Sequence, residues 1–435
     1  MNFLLSFHKR FWVIETICLL LIGTVVLFYF QMFSMSIALS EIISIGVFIG
    51  LFIYRGIYKH DYIFPAFSKR IFGALFIFGI YYIILSGIRL ILHLPVLDSS
   101  WSIRSIMFGS AIFFIMDEYK PKVDLLLIGA IIVFSALNTR ELIDCFRFSD
   151  IRSLKFLNNI NIYVYVCIML IPFAVWAIKQ GKQKSLPSFI STIAYANMGT
   201  SMVIAFLSGG RLGWLVMGAV VGASFLLIFG YKWNSFKLIL SFMIVCIFVT
   251  IIASSLNFKQ SRSNVYRSFS VILTKIPGLS DHESVGKKEV IATTDASNNI
   301  RKIYWERGWN LIKKSPILGP GTYGVAYKQI SPTERLPQPA HNFILEAWMG
   351  WGLIGLILYL IGLFSAFYYV IVKLKNIPKP MRFCCLIPIS ASIVVSLFQP
   401  FMPLLFPPTY IMWFSLGFAA VADHYYKPGE TSNHN

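Results

Sequence analysis

The sequence predicts an all-α polytopic membrane protein with about 12 transmembrane helices and one long hydrophilic loop. Three observations carry that prediction. Of 435 residues, 57% are hydrophobic and only 13% are charged, whereas soluble domains carry roughly a quarter charged. Mean hydropathy is +0.70. The apolar residues fall in long continuous runs, not in the alternating segments of about ten residues that mark a membrane β-barrel. A soluble globular enzyme is excluded. So is a disordered chain, because 39 Phe, 21 Tyr and 10 Trp supply too much apolar surface.

At about 20 apolar residues per span, breaks at charged, Pro and Gly positions give twelve candidate helices: 11–33, 35–54, 71–88, 102–116, 123–137, 159–178, 188–207, 212–231, 238–256, 343–372, 383–399 and 403–422. The first run has no small-residue cleavage site and reads as a retained helix, not a signal peptide. The chain thus divides into helices 1–9 over 1–256, a loop over 257–342, and helices 10–12 with a tail over 343–435.

Net charge is +19, with 38 Lys+Arg against 19 Asp+Glu. In a soluble protein this would suggest nucleic acid. Here it reads as the basic bias of cytoplasmic loops, and no nucleic-acid partner is expected. A cytoplasmic N-terminus gathers eighteen basic residues on that side, including Lys69, Lys120, Lys179 and Lys182, and leaves seven in the short opposite loops, including Arg89, Arg140 and Arg211. The long loop then lies outside, where loops of that size escape the charge rule. Five of the six cysteines lie in apolar runs, and none shows metal or disulfide spacing.

Loops of this length are usually functional. Its first part, Lys259 to Asn299, is rich in Ser, Asn and charges and reads as irregular. From about Ile300 to Lys314 the spacing of Trp305, Trp309 and Ile312 predicts an amphipathic helix, ended by Pro316 and a Gly/Pro turn through Gly324.

Few residues in so apolar a chain can carry chemistry. Arg211 sits in Leu207-Ser208-Gly209-Gly210-Arg211-Leu212-Gly213-Trp214, between two long apolar runs. It is either a boundary arginine snorkelling to headgroups or a clamp for a bound phosphate, whose oxygens match a guanidinium fork. Arg301 and Arg307 flank the predicted loop helix, as a solvated basic face or as anion contacts. His341 lies in Pro339-Ala340-His341-Asn342-Phe343, where the loop re-enters the membrane. An imidazole there can take a hydroxyl proton near neutral pH. Asn342 adds hydrogen bonds, and Glu346 is an acid inside an apolar run, itself a functional pointer.

The absences narrow the class. Gly319 to Gly324 lacks the GK[ST] of a P-loop, no GxSxG or HExxH occurs, and no carboxylate pair suits a metal–nucleotide sugar. No metal site and no cofactor is expected. The driving force must reside in the substrate, such as a preformed activated lipid.

Three blocks in order resemble the O-antigen ligase family, a bacterial superfamily that also contains polysaccharide polymerases. Ser208-Gly209-Gly210-Arg211-Leu212-Gly213-Trp214-Leu215 resembles its short arginine motif at a helix start. Arg301 through Pro316, followed by Leu318-Gly319-Pro320-Gly321, is similar to its loop-helix block. Ala340-His341-Asn342-Phe343-Ile344-Leu345-Glu346, continuing to Gly355, resembles its His-Asn signature before a Gly-bearing helix.

The resemblance implies a GT-C-like transferase of the bacterial inner membrane with a site facing the periplasm and no metal requirement. The donor would be a glycan on undecaprenyl diphosphate, and the acceptor a sugar hydroxyl of lipid A–core. By position, Arg211 and Arg301 would bind the donor diphosphate and His341 would act on the acceptor hydroxyl, with Asn342, Glu346 and Arg307 in support. A polymerase joining lipid-linked repeat units is the nearest alternative. A transporter using Glu15, Glu41 or Asp124 is a more distant one.

Overall fold

The computed structural model describes residues 66–93, 112–114, 116–117, 120–148, 160–183, 185–207, 211–231, 233–255, 285–321, 328–330, 332, 339–397 and 406–425. Among them the regular structure is entirely helical. Ten long helices run in chain order: α1 Ala66–Ile91, α2 Val123–Phe148, α3 Ile160–Lys182, α4 Ser188–Leu207, α5 Arg211–Phe229, α6 Trp233–Ser255, α7 Val285–Lys314, α8 Phe343–Lys373, α9 Lys379–Ser396 and α10 Phe406–Tyr425. Five segments are long and apolar enough to cross a membrane: Val123–Ile143, Tyr163–Lys182, Ser188–Phe206, Phe343–Val372 and Lys379–Ser396. Shorter apolar helices occupy Phe76–Ile91, Leu215–Phe229 and Ser235–Val249. The chain is a multi-pass membrane protein. The expected spans 11–33 and 35–54, and most of 102–116, lie outside the described residues.

Helix α3 is the hub. It packs against α2, α4, α5, α9 and α10, and every residue from Tyr163 to Ile178 is buried. Its sequence is apolar on all sides, as a helix enclosed by neighbours must be. By contrast α1 and α6 leave Ile83, Ile84, Ile244 and Phe248 exposed. That outward apolar surface suits acyl chains, which are as apolar as the core itself.

Several helices outrun their apolar stretches. α2 was expected to end near residue 137 but continues to Phe148. The reason lies inside the bundle, where polar residues past the apolar run find partners. The Asn138 side-chain amide donates to the Asn197 backbone carbonyl at 2.9 Å, and its carbonyl accepts from the Tyr163 hydroxyl at 2.6 Å. Asn197 in turn donates to the Ser135 hydroxyl at 2.8 Å. This buried network ties α2, α3 and α4 together. α7 also differs from expectation: it begins at Val285, not near Ile300. Ser, Asn and charge enrichment signals the absence of a core face, yet Lys287, Lys288, Glu289, Ala292 and Ala296 are compatible with a solvated helix.

The helix that re-enters after the loop is interrupted. α8 breaks at Gly352, which has φ +72° and ψ 179°. A bilayer core offers no water to freed backbone groups, so each must find a protein partner. The turn after α7 supplies them. Leu353 N–H donates to the Pro316 carbonyl at 3.0 Å, and Gly321 N–H reaches the Met349 carbonyl at 3.4 Å. The Tyr81 hydroxyl of α1 donates to the Trp351 carbonyl at 2.7 Å, and the Trp348 indole N–H donates to the Pro316 carbonyl at 2.8 Å. The approach is close enough to require glycine on both sides. A Cβ at Gly352 would overlap the Ile317 carbonyl, and one at Gly319 (φ +75°) would lie 2.5 Å from the Met349 carbonyl oxygen.

Gly352→Ala should therefore be among the most damaging single substitutions, lowering stability by about 2–4 kcal/mol through strain and overlap. Gly87→Ala, where a Cβ meets nothing within 4 Å, serves as the tolerated control. Thermal unfolding in detergent should separate the two; equal midpoints would contradict the close approach. Asn138→Ala should cost about 1 kcal/mol, the scale of a buried hydrogen-bond network in a membrane bundle, and the same measurement checks it.

Candidate functional site

The bundle has a basic end and a far end. Helix α3 finishes at the basic end, where the Lys179 ammonium donates to the Ile228 carbonyl at 2.7 Å and Lys182 lies over the Phe229 ring at 5.2 Å. At the far end, α3 begins, α4 finishes and α5 begins with Arg211 at its first position. The preceding Ser208, Gly209 and Gly210 lie outside the described residues. Two residues after Arg211, Gly213 packs on Val164 so closely that a Cβ would sit 2.8 Å from its side chain. The start of α5 is thus pressed against the start of α3, next to Tyr165.

Arg301 approaches the same place from α7. Its guanidinium is half-buried and acts electrostatically on the Tyr165 hydroxyl. One turn further on, the Trp305 indole N–H donates to the Ala340 carbonyl at 2.7 Å. That bond joins the loop helix to the residue beside His341. Tyr304, Leu311 and Ile312 bury their side chains against Ile330, Ala340 and Met349, so α7 docks along the first turns of α8. Positions 304, 308, 311 and 312 form one stripe at helical spacing, and Gly308 allows the Met349 sulfur to come within 3.4 Å of where a Cβ would be.

His341 precedes α8 and is half-buried, with φ +56°. A side chain other than glycine held at positive φ is uncommon and costs roughly 1–3 kcal/mol, so it persists where its surroundings over-determine it. Asn342 supplies that determination as the N-cap of α8. Its side-chain oxygen accepts from Ile344 N–H at 3.0 Å and Leu345 N–H at 3.2 Å, as an N-cap should. Its side-chain amide donates to the Leu397 carbonyl at 3.2 Å, one of the carbonyls left over at the end of α9. Because Ser392 of α9 meets Met169 of α3, Leu397 lies about a turn and a half beyond, level with the start of α3. The segments bearing Arg211, Arg301 and His341 therefore share one end of the bundle.

The remaining expected residues divide. Glu346 is fully buried one turn into α8, and its N–H donates to the Asn342 carbonyl at 3.0 Å. A carboxylate there complements the helix dipole. Arg307 is exposed and donates to the Ile330 carbonyl at 2.7 Å. It holds the short helical segment at 328–330, whereas Arg301 is the half-buried arginine of α7. Among the described residues, no group of three His, Cys, Asp or Glu side chains has a metal-ligating arrangement.

Arg89 had been placed in a short outer loop. It is instead in the last turn of α1, 2% exposed, with its guanidinium on the Leu318 and Gly319 carbonyls at 2.8 and 2.6 Å. The signal available was its setting in Ser86-Gly87-Ile88-Arg89-Leu90-Ile91, a charge inside an apolar run, which in membranes pairs with backbone carbonyls. The hydrogen bond of Trp305 to Ala340 and the place of Tyr165 carry no signal in the sequence, because an aromatic in an apolar stripe reads as core.

Residues 196–360 match the model of the family described as O-antigen ligase. The match begins within α4 and ends within α8, so it takes in Arg211, the loop with α7, and His341. An uncharacterized protein of Haemophilus influenzae is 24% identical over 225 residues, covering 48% of this chain and 49% of the relative, so the alignment spans about half of that protein's length. Over residues 196–360 the chain is therefore similar to the O-antigen ligase family, and that stretch is carried on a multi-pass helical bundle.

Proposed function

We propose that this protein transfers a glycan from undecaprenyl diphosphate to a sugar hydroxyl of lipid A–core at the periplasmic face of the bacterial inner membrane. The observation that supports the reading is the Trp305–Ala340 hydrogen bond, which ties the helix bearing Arg301 to the segment bearing His341, at the end of the bundle where α5 starts with Arg211.

In this reaction the acceptor oxygen attacks the anomeric carbon as the bond to the diphosphate breaks. Arg211 and Arg301 stabilise the charge that develops on the departing diphosphate. The N-terminus of α5 adds its partial positive charge. His341 takes the proton of the acceptor hydroxyl, or orients that hydroxyl, as the new bond forms. A metal has no required part, because the guanidinium groups neutralise the leaving group. Donor and acceptor are both lipids in one membrane, which supplies proximity. Helix α7 closes over the reacting centre and keeps out water, which would otherwise hydrolyse the donor. A single displacement inverts the anomeric configuration, and NMR of the product reads that directly.

The test mixes purified protein with lipid-linked glycan and lipid A–core. Glycan should appear on the core, at a rate unaffected by EDTA. Glycan lengthening on the carrier lipid with none on the core would make the protein a polymerase; no transfer of either kind would end the enzymatic reading. In the same assay, His341→Ala, Arg211→Ala and Arg301→Ala should each lower the rate by about 10²-fold or more. Arg307→Ala, which loses only a contact to residues 328–330, should retain most of it. A fully active His341→Ala protein would remove the assigned base.

A further inference from the structure

We infer that Arg89 is a positioning residue for the transferase site: it locks the 315–321 turn into the break of α8, and so sets where the half-helix that begins after His341 lies. The proposal rests on the function proposed above for that half-helix.

Arg89 is a buried guanidinium in an apolar helix, and such a group is held only where it is usefully satisfied. Its Nη2 donates to two successive carbonyls, Leu318 at 2.8 Å and Gly319 at 2.6 Å. Its Nη1 lies 3.1 Å from where a Cβ on Gly321 would stand. The arginine fork therefore grips the turn across 318–319 and packs against 321. That turn is the same one that satisfies the broken helix: the Pro316 carbonyl accepts from Leu353 N–H, and Gly321 N–H meets the Met349 carbonyl. Gly319 N–H closes the turn itself by donating to the Ser315 carbonyl at 2.9 Å.

The consequence for the site follows from connectivity. The half-helix from Phe343 to Trp351 is tied at its start by Asn342 to Leu397 and at its end by the turn. The turn is also continuous with α7, which bears Arg301 and whose Trp305 bonds to the residue before His341. One guanidinium on α1 thereby fixes both the imidazole-bearing and the arginine-bearing segments relative to the bundle. A lysine places one ammonium where the fork placed a planar pair of donors, so it satisfies the carbonyls in part.

The experiment uses the full chain in lipid nanodiscs and compares Arg89→Met and Arg89→Lys with the unmodified protein. Amide hydrogen exchange should accelerate in Arg89→Met at residues 315–321 and 343–353 and stay unchanged in α3 and α5. In the transfer assay, kcat should fall about tenfold or more, since misplacement by about an ångström suffices for that, with KM for the lipid-linked donor changed by less than about twofold. Arg89→Lys should recover part of kcat. Unchanged exchange at 315–321 overturns the lock. Faster exchange with normal kcat overturns the positioning role. A protein without transferase activity before substitution refutes the function above but leaves the exchange result as a test of the lock. If Arg89→Met does not fold, Gly321→Ala pushes the guanidinium from the turn side, and the same two readouts apply.

Discussion

A helix that breaks inside an apolar environment must re-pair its backbone, and the far end of this bundle is organised around one such break. Water is not on offer in a bilayer core, and a freed carbonyl or amide costs several kcal/mol there. At Gly352 the partners come from a turn more than thirty residues earlier and from α1. The two glycines at the crossing, Gly319 and Gly352, let backbone meet backbone. From that requirement the rest follows: α7 must end beside α8, its last turns must carry an apolar stripe, and the connecting segment must return to the start of α8 within reach of Trp305.

This arrangement explains how a hydrophilic loop can contribute to a site with fixed geometry. A loop standing free of the membrane would position Arg301 poorly. Here the loop helix is anchored at its C-terminal end by the turn and along its length by Tyr304, Leu311 and Ile312. Catalytic groups are best held by rigid elements supported by packing and hydrogen bonds. The segments of interest begin or lie on helices that meet this condition: α5 against Val164, α7 against α8, and α8 capped by Asn342 against α9.

Much of this was legible in the sequence, for identifiable reasons. Long apolar runs locate membrane helices because hydropathy integrates over twenty positions. The spacing of Trp305, Trp309 and Ile312 marked a helix ending before Pro316, and Asn342 was legible as a hydrogen-bonding residue though not as the N-cap of α8. What could not be read were contacts made at a distance. The extension of α2 past its apolar run depends on Asn138 meeting Tyr163 and Asn197. The break at Gly352 depends on a turn that sequence shows only as Gly and Pro. By sequence Arg89 is one more loop charge, and only its long-range bonds to the Leu318 and Gly319 carbonyls distinguish it. The same holds for Arg301 and Arg307. They are alike in sequence and differ in that Arg307 is exposed and committed to the Ile330 carbonyl while Arg301 is half-buried.

That last difference bears on how an anion site can exist beside a membrane at all. Arginines gathered without a ligand repel one another, so each cationic group needs either a standing partner or an anion to come. Arg89 and Arg307 have standing partners in backbone carbonyls, which absorb hydrogen-bond donors without cancelling charge. Arg301 is left half-buried on α7, and α5 begins at Arg211 with Gly213 packed beside Val164 of α3. Helix N-termini add positive potential within the first turn only, so the field they create is local. The buried Glu346 sits in the first turn of α8 and opposes the positive potential of that helix's N-terminus near His341. The transfer proposed above calls for a diphosphate on the side of α5 and Arg301 and a neutral hydroxyl on the side of His341, a division of labour between two lipid substrates.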